Sequence, residues 1–203
     1  WYNRCVPALE VNTPTFYLIP QAWREVIERL QCNGVVVRRL ESDQTLQAQV
    51  YRIVHVVSRA QAYEGHLFHD EVEVSQHTES LLARKGDAVV DLAQPNARYA
   101  VETLEPQAHD SFFRWGFFNS ILEKKEAYSD YVFEDTALEM LQAEPELRAR
   151  FEAWKLAHPG RASNQTDVLD FIFSHGQRFH EPEWRRYPVV GLSEVKLGGD
   201  CRE

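Results

Sequence analysis

The spacing of hydrophobic and polar positions changes along the chain, and it first predicts a strand followed by a helix. Phe16–Ile19 is a short apolar run closed by Pro20, which is typical of a buried strand. Within Trp23–Leu30 the apolar residues recur at intervals of three and four, which is the spacing of one helix face. Gly34 follows at a position that suits a helix C-terminus. We therefore predict an amphipathic helix that ends near this glycine.

Between residues 35 and 92 the hydrophobic period becomes two, which is the period of β-strands. The run 51–57 is apolar on both faces and predicts a central strand. Val72 and Val74 alternate with polar residues, which indicates a strand with one face in water. A turn at Lys85–Asp87 precedes one more β-branched run. Because the connections are short, we predict roughly four to six strands with mostly antiparallel pairing.

Beyond Pro95 the helical period dominates the pattern. We predict helices at 111–125, 134–142 and 145–157, and a last one from a cap at Ser163 or Thr166 to Phe173. A run of strands followed by a run of helices is typical of an α+β fold. The predicted fold is therefore a mostly antiparallel sheet in the N-terminal half, packed with a helical C-terminal half.

The predicted helix at 111–125 carries more large apolar residues than a helix packed on one sheet can bury. They fall into two neighbouring stripes, of which one can pack on the sheet. If the later helices do not cover the second stripe, it is available to pack against a neighbouring domain. We expect four residues of this helix at such an interface: Phe113, Trp115, Phe117 and Ile121. Glu102 and Glu105 precede the helix and suit its positive N-terminal end.

Composition narrows the range of partners. The chain has 203 residues, of which 44% are hydrophobic and 26% are charged, a balance typical of globular proteins. Its net charge of −9 repels phosphate groups, which argues against nucleic acid and against an anionic membrane surface as partners. No apolar run approaches the roughly 20 residues of a membrane span. We therefore expect neither a nucleic-acid partner nor a membrane span.

The first residues suggest a domain organisation. The chain begins with Trp1 instead of methionine, and Met140 is the one methionine in the sequence. We therefore expect a piece of a larger protein. We interpret 1–13 as a linker or arm from a missing upstream domain, 14–192 as a single α+β domain, and 193–203 as a tail.

His66 and His69, with the carboxylates around them, form the densest ligand-like cluster in the sequence. Two imidazoles and a carboxylate can hold a zinc or iron ion. In a strand, however, residues three apart point to opposite faces, so the pair needs a turn at Gly65 to converge. The alternative interpretation is a set of polar residues at a strand end. We keep His66 and His69 as weak metal candidates.

Other sequence motifs of catalytic or cofactor sites are missing. There is no Gly-x-Ser-x-Gly elbow, phosphate loop or dinucleotide fingerprint. The one His-x-x-Glu, at His180–Glu183, contains Pro182 and has no later histidine, so we interpret it as chance. Cys5, Cys32 and Cys201 allow either one disulfide with one thiol or three thiols. We predict no catalytic residue and no cofactor in this chain.

Short motifs with a fixed order and spacing run through most of the chain, from about residue 13 to residue 192. They include Tyr17-Leu-Ile-Pro-Gln-Ala-Trp23, Tyr63-Glu-Gly-His66, Lys85-Gly-Asp87, Glu102-Thr-Leu-Glu-Pro106 and Tyr131-Val-Phe-Glu134. Together they resemble the region that follows the catalytic domain in bacterial proteins of the carboxypeptidase A-like zinc metallocarboxypeptidase family.

This resemblance implies a secreted or periplasmic parent protein that removes C-terminal residues from peptides. Its zinc would be held in the catalytic domain by a His-x-x-Glu pair and a later histidine, and none of these ligands maps onto this chain. We therefore expect a non-catalytic accessory domain that packs on the upstream catalytic domain of the same polypeptide. The alternative is an independent peptide- or glycan-binding module that uses exposed aromatics such as Trp115 or Trp184.

Overall fold

The computed structural model describes residues 9–123, 130–176 and 184–197. The chain divides into two compact units, the first made of 1–122 with 185–203 and the second made of 123–184. The predicted single domain over 14–192 stays a prediction. Most of the expected arm, residues 1–8, and the end of the expected tail, residues 198–203, lie outside the described residues. So do Cys5, Cys201 and the His180–Glu183 motif, whereas Cys32 is an exposed thiol.

The described part of the first unit contains a six-stranded sheet in the order β2-β5-β1-β6-β3-β4. Its strands are β1 (Phe16–Ile19), β2 (Val37–Arg39), β3 (Gln44–Ser58), β4 (His69–Ala83), β5 (Ala88–Asp91) and β6 (Val190–Leu192). Each pair of neighbours in this order is antiparallel. The α+β class and the antiparallel pairing predicted from the sequence are thereby confirmed.

The sheet buries a hydrophobic cluster on each face, because successive side chains of a strand point in opposite directions. In β1, Tyr17 and Ile19 join the larger cluster, while Leu18 joins the smaller one. The helices α1 (Arg24–Cys32) and α2 (Ala97–Leu104) bring their buried residues to the larger cluster.

The predicted amphipathic helix is confirmed as α1, which buries Val26, Ile27 and Leu30. Gly34 follows its C-terminus with a φ of 77°, a conformation that L side chains rarely adopt. A Cβ at this position would lie 2.7 Å from the side-chain nitrogen of Asn96. Backbone conformation and close approach therefore both require glycine here.

The long strand β3 pairs with β4 along its length but with β6 only at Ala48 and Gln49. Beyond that point its outer side meets the segment that follows the second unit. The Ile53 N–H donates to the Arg185 carbonyl at 2.8 Å, and the Tyr187 N–H donates to the Tyr51 carbonyl at 2.8 Å. The strand predicted to be central at 51–57 is therefore flanked by β4 on one side and by this irregular segment on the other.

The predicted helix at 111–125 does not form, and this prediction is wrong. The described part of the segment, 111–123, makes a series of tight turns and then one 3-10 turn at Asn119–Ile121. Residues 124 and 125 lie outside the described residues. The apolar side chains of the segment therefore do not form the two predicted helical stripes.

Gly116 is the physical reason for this difference. Its φ of 80° lies outside the right-handed helical region, so a continuous helix cannot pass through it. The hydrogen bonds change span on either side: the Trp115 N–H donates to the Ser111 carbonyl at 3.1 Å, whereas the Phe117 N–H reaches back to Phe112 at 3.0 Å. A count of apolar residues does not reveal such a break in the backbone.

The second unit is helical in its described residues. Its helices are α3 (Asp130–Ala143), α4 (Pro145–Ala157), α5 (Pro159–Ala162) and α6 (Gln165–His175). They share a core of their own, which includes Phe133, Met140, Leu147, Phe151 and Ile172. No helix among the described residues is both long enough and apolar enough to cross a bilayer.

The sequence predicted α3, α4 and α6 with small errors at their ends, whereas it did not predict α5. The bounds of α4 match the predicted 145–157, whereas α3 begins several residues before the predicted residue 134. The cap of α6 is Asn164, whose side-chain oxygen accepts from the Asp167 N–H at 3.2 Å, and neither Ser163 nor Thr166 has this role. An Asn side chain satisfies a free N–H of the first turn as well as a hydroxyl does.

Candidate functional site

The loop that joins β3 to β4 closes in a tight two-residue turn. Tyr63 and His66 exchange both of their backbone hydrogen bonds, each at 2.9 Å. Glu64 and Gly65 between them have φ values of 49° and 82°, and positive φ at both central residues is the mark of a type I′ turn. The structure therefore contains a turn at Gly65, which His66 and His69 would need in order to converge.

His69 lies at the start of β4 and is 2% exposed. Its Nε2 is 2.8 Å from the side-chain oxygen of Asn119, and its Nδ1 is 2.8 Å from the Ser58 hydroxyl. Because an amide oxygen only accepts, Nε2 carries the hydrogen and Nδ1 accepts a hydrogen bond from Ser58. The imidazole is thereby held in one tautomer.

The surroundings of His69 favour its neutral form. Burial lowers the pKa of the His69 imidazole; the hydrogen bond to Asn119 opposes this shift and the charge of Arg114 adds to it. Arg114 contacts this histidine closely: its Nη1 donates to the His69 carbonyl at 3.3 Å and to the Asp70 carbonyl at 2.7 Å. The Arg114 Nε is buried and has no hydrogen-bond partner among the described residues.

Two backbone features place these side chains together. The pairing of β3 with β4 shifts register between Val57 and Ser58, and such bulges re-aim side chains. After this shift Ser58 is exposed and lies opposite His69. The second feature is Gly116, where a Cβ would lie 2.9 Å from the Asn119 side-chain nitrogen. Because glycine has no Cβ, there is room for that amide.

The predicted metal candidates His66 and His69 occupy different environments. The His66 ring stacks on Phe117 at 5.5 Å and meets the edge of Trp115 at 5.8 Å. Both ring nitrogens of His69 are already hydrogen-bonded. Within the residues that the structure describes, no group of three or more His, Cys, Asp or Glu side chains is arranged to hold a metal ion. A metal role for this pair stays a prediction.

The hairpin end and the turn segment together form a partly exposed aromatic surface, which consists of Tyr63, His66, Trp115 and Phe117. The buried Phe68 packs against its Trp115. Trp115 lies at its centre, 5.2 Å from the ring of Phe68 and 6.3 Å from that of Tyr63. The Trp115 Nε1 donates to the Asp110 carboxylate at 2.5 Å, which fixes the indole. Tyr63 is 53% exposed and the adjacent Leu67 is 48% exposed.

The four predicted interface residues do not lie on one surface. Phe113 is fully buried, 5.9 Å from the ring of Tyr187, so it packs in the core and offers a partner no surface. Phe117 and Ile121 are partly buried against the same core. Trp115 and Phe117 both belong to the aromatic surface. An interface role for Trp115, Phe117 and Ile121 stays a prediction.

A buried carboxyl group forms a second polar cluster in the first unit. Glu105 is 3% exposed and accepts a hydrogen bond from the Tyr17 hydroxyl at 2.5 Å and another from Tyr51. The Tyr187 hydroxyl donates to the adjacent Leu104 carbonyl at 2.7 Å. Glu105 therefore joins the end of α2 to two strands, which differs from the expected role beside a helix N-terminus.

Burial controls the protonation of this cluster. It raises the pKa of the Glu105 carboxyl, and the hydrogen bonds from Tyr17 and Tyr51 partly oppose that shift. Burial, followed by the nearby Glu105 charge, raises the pKa of Tyr17, Tyr51 and Tyr187. The tyrosines therefore remain neutral hydrogen-bond donors.

Glu102, the other acid predicted to lie near a helix N-terminus, does not belong to this buried cluster. It is exposed and lies 3.6 Å from Arg98.

This chain is similar to known proteins over part of its length. No protein-family model and no solved structure matches it. It is 30% identical over 110 residues to Carboxypeptidase 2 of Trichophyton rubrum, a match that covers 54% of this chain and 20% of that protein. Carboxypeptidase 2 of Trichophyton tonsurans and of Trichophyton equinum are each 30% identical over 113 residues, or 54% of this chain and 21% of theirs.

The matched part of the chain thus spans about a fifth of the length of these relatives. The similarity supports the predicted link to carboxypeptidases. It is a link to fungal proteins, whereas the sequence motifs resembled a region of bacterial ones.

Proposed function

We propose that this chain is a non-catalytic accessory part of a carboxypeptidase-related protein and packs on the catalytic domain of the same polypeptide. One observation carries the proposal: half of the chain is similar to a segment that makes up only a fifth of Carboxypeptidase 2. Such a match is expected for one part of a longer protein. Peptide hydrolysis and its zinc would belong to the other part, and a secreted or periplasmic location would follow from it.

The aromatic surface supports docking as the role of this part. Aromatic residues and arginine are enriched where proteins contact each other, with the aromatic groups at the centre and polar groups around them. Trp115 has this central position. Arg29 lies over the Phe117 ring at 4.5 Å, and Arg59, which pairs with Asp70 at 2.9 Å, lies over the Phe68 ring at 4.8 Å.

The same surface supports a second candidate function, an independent peptide- or glycan-binding module. A fixed indole beside an exposed tyrosine gives a ligand two ring faces on which to pack. Here the hydrogen bond from Trp115 to Asp110 fixes the indole, and Tyr63 supplies the exposed ring. In this case the surface would bind its ligand in the isolated chain, without any catalytic domain.

Carboxypeptidase activity tests the first proposal directly. We would measure the release of C-terminal residues from a chromogenic peptide by the full-length gene product and by the 203-residue chain, with zinc and with a chelator. We expect chelator-sensitive activity for the full-length protein and none for the chain alone. Chelator-sensitive activity of the chain alone would overturn its non-catalytic role, and a full-length protein without activity would overturn the carboxypeptidase assignment.

A further inference from the structure

Ser58, His69 and Asn119 form a continuous hydrogen-bonded line that the accessory role does not use. The Ser58 hydroxyl donates to His69 Nδ1, and His69 Nε2 donates to the Asn119 amide oxygen, both at 2.8 Å. A hydroxyl beside a base, with the base oriented by a third group, is the arrangement that activates a serine nucleophile. The three residues come from β3, β4 and the 3-10 turn, so only the tertiary fold unites them.

We propose that Ser58 is a nucleophile activated by His69 and oriented through Asn119, and that this site accepts acyl groups from activated esters. The chain would then have an esterase-like reactivity that is independent of peptide hydrolysis by any other domain. The proposal does not rest on the accessory role. It would stand if the carboxypeptidase link failed.

The chemical step follows from the geometry. The Ser58 oxygen attacks the carbonyl carbon of the ester and forms a C–O bond, while its proton passes to His69 Nδ1. The bond to the leaving alkoxide or phenoxide then breaks, and the leaving group takes the proton from His69. Water repeats the sequence on the acyl-serine and releases the acid, so the site returns to its starting state.

Several features of the site suit this step. Ser58 is exposed, so an ester can reach it, whereas His69 is buried and fixed in one tautomer. Burial lowers the pKa of His69, which keeps Nδ1 free to accept a proton at neutral pH. The guanidinium of Arg114 donates to the His69 carbonyl at 3.3 Å, and its positive charge also favours the neutral form of the His69 imidazole.

Ser174 in α6 provides a matched control. Its hydroxyl lies 2.9 Å from His175 Nδ1, but that nitrogen also lies 2.8 Å from the Phe171 carbonyl oxygen. Because a carbonyl only accepts, His175 Nδ1 carries a hydrogen and cannot take the serine proton. Ser174 is therefore an exposed serine beside a histidine of the wrong tautomer.

The test is covalent labelling of the 203-residue chain with a fluorophosphonate, followed by mass spectrometry of its peptides. The serine oxygen forms a bond to phosphorus, fluoride leaves, and the serine proton passes to the histidine. We expect labelling at Ser58 about 100-fold faster than at Ser174, as general-base assistance gives. Hydrolysis of p-nitrophenyl acetate should be lost in Ser58→Ala and retained in Ser174→Ala. Equal labelling of the two serines would overturn the proposal.

Two further variants separate a chemical role from a structural one. His69→Gln keeps a hydrogen-bonding side chain but removes the base, and it should abolish labelling while circular dichroism shows an unchanged fold. Asn119→Asp places a carboxylate on Nε2 and should move the pH midpoint of labelling upward. If one of the two variants does not fold, the folded one tests the role of His69 as the base. A folded His69→Gln that is still labelled, or a midpoint that does not move, contradicts the role of His69 as the base.

Discussion

Tyr17 donates a hydrogen bond of 2.5 Å to Glu105, and this contact ties the first strand to the end of α2 inside the larger core. The two residues are 88 positions apart in sequence. The carboxyl group receives a second hydrogen bond from Tyr51, and Tyr187 lies near enough for the Glu105 charge to affect it. One acidic side chain therefore accepts hydrogen bonds from two tyrosines and lies near a third, whose hydroxyl donates to the Leu104 carbonyl.

We predict that Glu105 makes the stability of the chain depend on pH. Because burial raises the pKa of Glu105, the folded state binds its proton more tightly than the unfolded state does. The contribution of protonated Glu105 to the free energy of unfolding is complete below the ordinary carboxyl pKa. It is lost as the pH rises through the raised pKa of the folded state. Urea unfolding at several pH values should show this fall, and Glu105→Gln should remove it. The control Glu102→Gln should retain it; an unchanged pH dependence in Glu105→Gln would contradict the prediction.

Tyr17→Phe should destabilise the first unit. The change removes a donor to a buried carboxyl group and leaves the ring in place, so we expect a loss of about 1–3 kcal/mol in the free energy of unfolding. Chemical denaturation measures this directly. The control is Tyr63→Phe, since Tyr63 is 53% exposed, and it should change stability by less than about 0.5 kcal/mol. Equal effects of the two changes would show that the buried hydrogen bond contributes nothing.

Gly34→Ala should destabilise the chain, whereas Gly160→Ala should not. Gly34 has a φ of 77° and no space for a methyl group beside Asn96, so we expect a loss of at least about 1 kcal/mol. Gly160 lies in α5 with no atom within 4 Å of an added Cβ, so alanine should be neutral or stabilise by up to about 1 kcal/mol. Thermal unfolding of the two variants side by side tests the pair. A neutral Gly34→Ala would refute the constraint described for this turn.

If the aromatic surface docks on a catalytic domain, Trp115→Ala should act differently in the two contexts. In the full-length protein we expect a loss of about 2 kcal/mol or more in the stability of the docked state, because central tryptophans dominate interfaces. In the isolated chain the loss should be smaller. Calorimetry of both forms measures it, with Val36→Ala as the control, since Val36 is 60% exposed on another part of the first unit.

Equal losses in the full-length protein and in the isolated chain would rule out docking through Trp115. A glycan or peptide array probed with the isolated chain then distinguishes the second candidate. Binding that disappears in Trp115→Ala and remains in Val36→Ala would favour the independent binding module.

Sequence patterns predicted the elements whose signals are local. Phe16–Ile19 and the helix that follows it were recognised from spacing and from one glycine, because apolar period and chain termination act over a few residues. The helix prediction for the segment 111–125 failed for a related reason. Its aromatic residues suggested a helix, but Gly116 adopts a positive φ that composition alone does not reveal.

The polar sites were harder to predict because their members are distant in sequence. Ser58 and His69 are 11 residues apart, and His69 and Asn119 are 50 apart, so no local motif connects them. Glu105 looked like an acid near a helix terminus, and only the packing of β1 and β3 turns it into a buried hydrogen-bond acceptor. The candidate histidines were recognised, but the partners that decide their chemistry were not.

The position of β6 has a consequence for the order of events during biosynthesis. In the sheet β6 stands between β1 and β3, where residue 192 pairs with residue 16, yet it is synthesised after all the helices of the second unit. The pairs β2-β5 and β5-β1 make one ribbon and the pair β3-β4 makes another, and neither ribbon needs β6 for its own pairing. Contacts between such distant residues form slowly. We therefore expect the two ribbons to join into one sheet only after β6 has been synthesised.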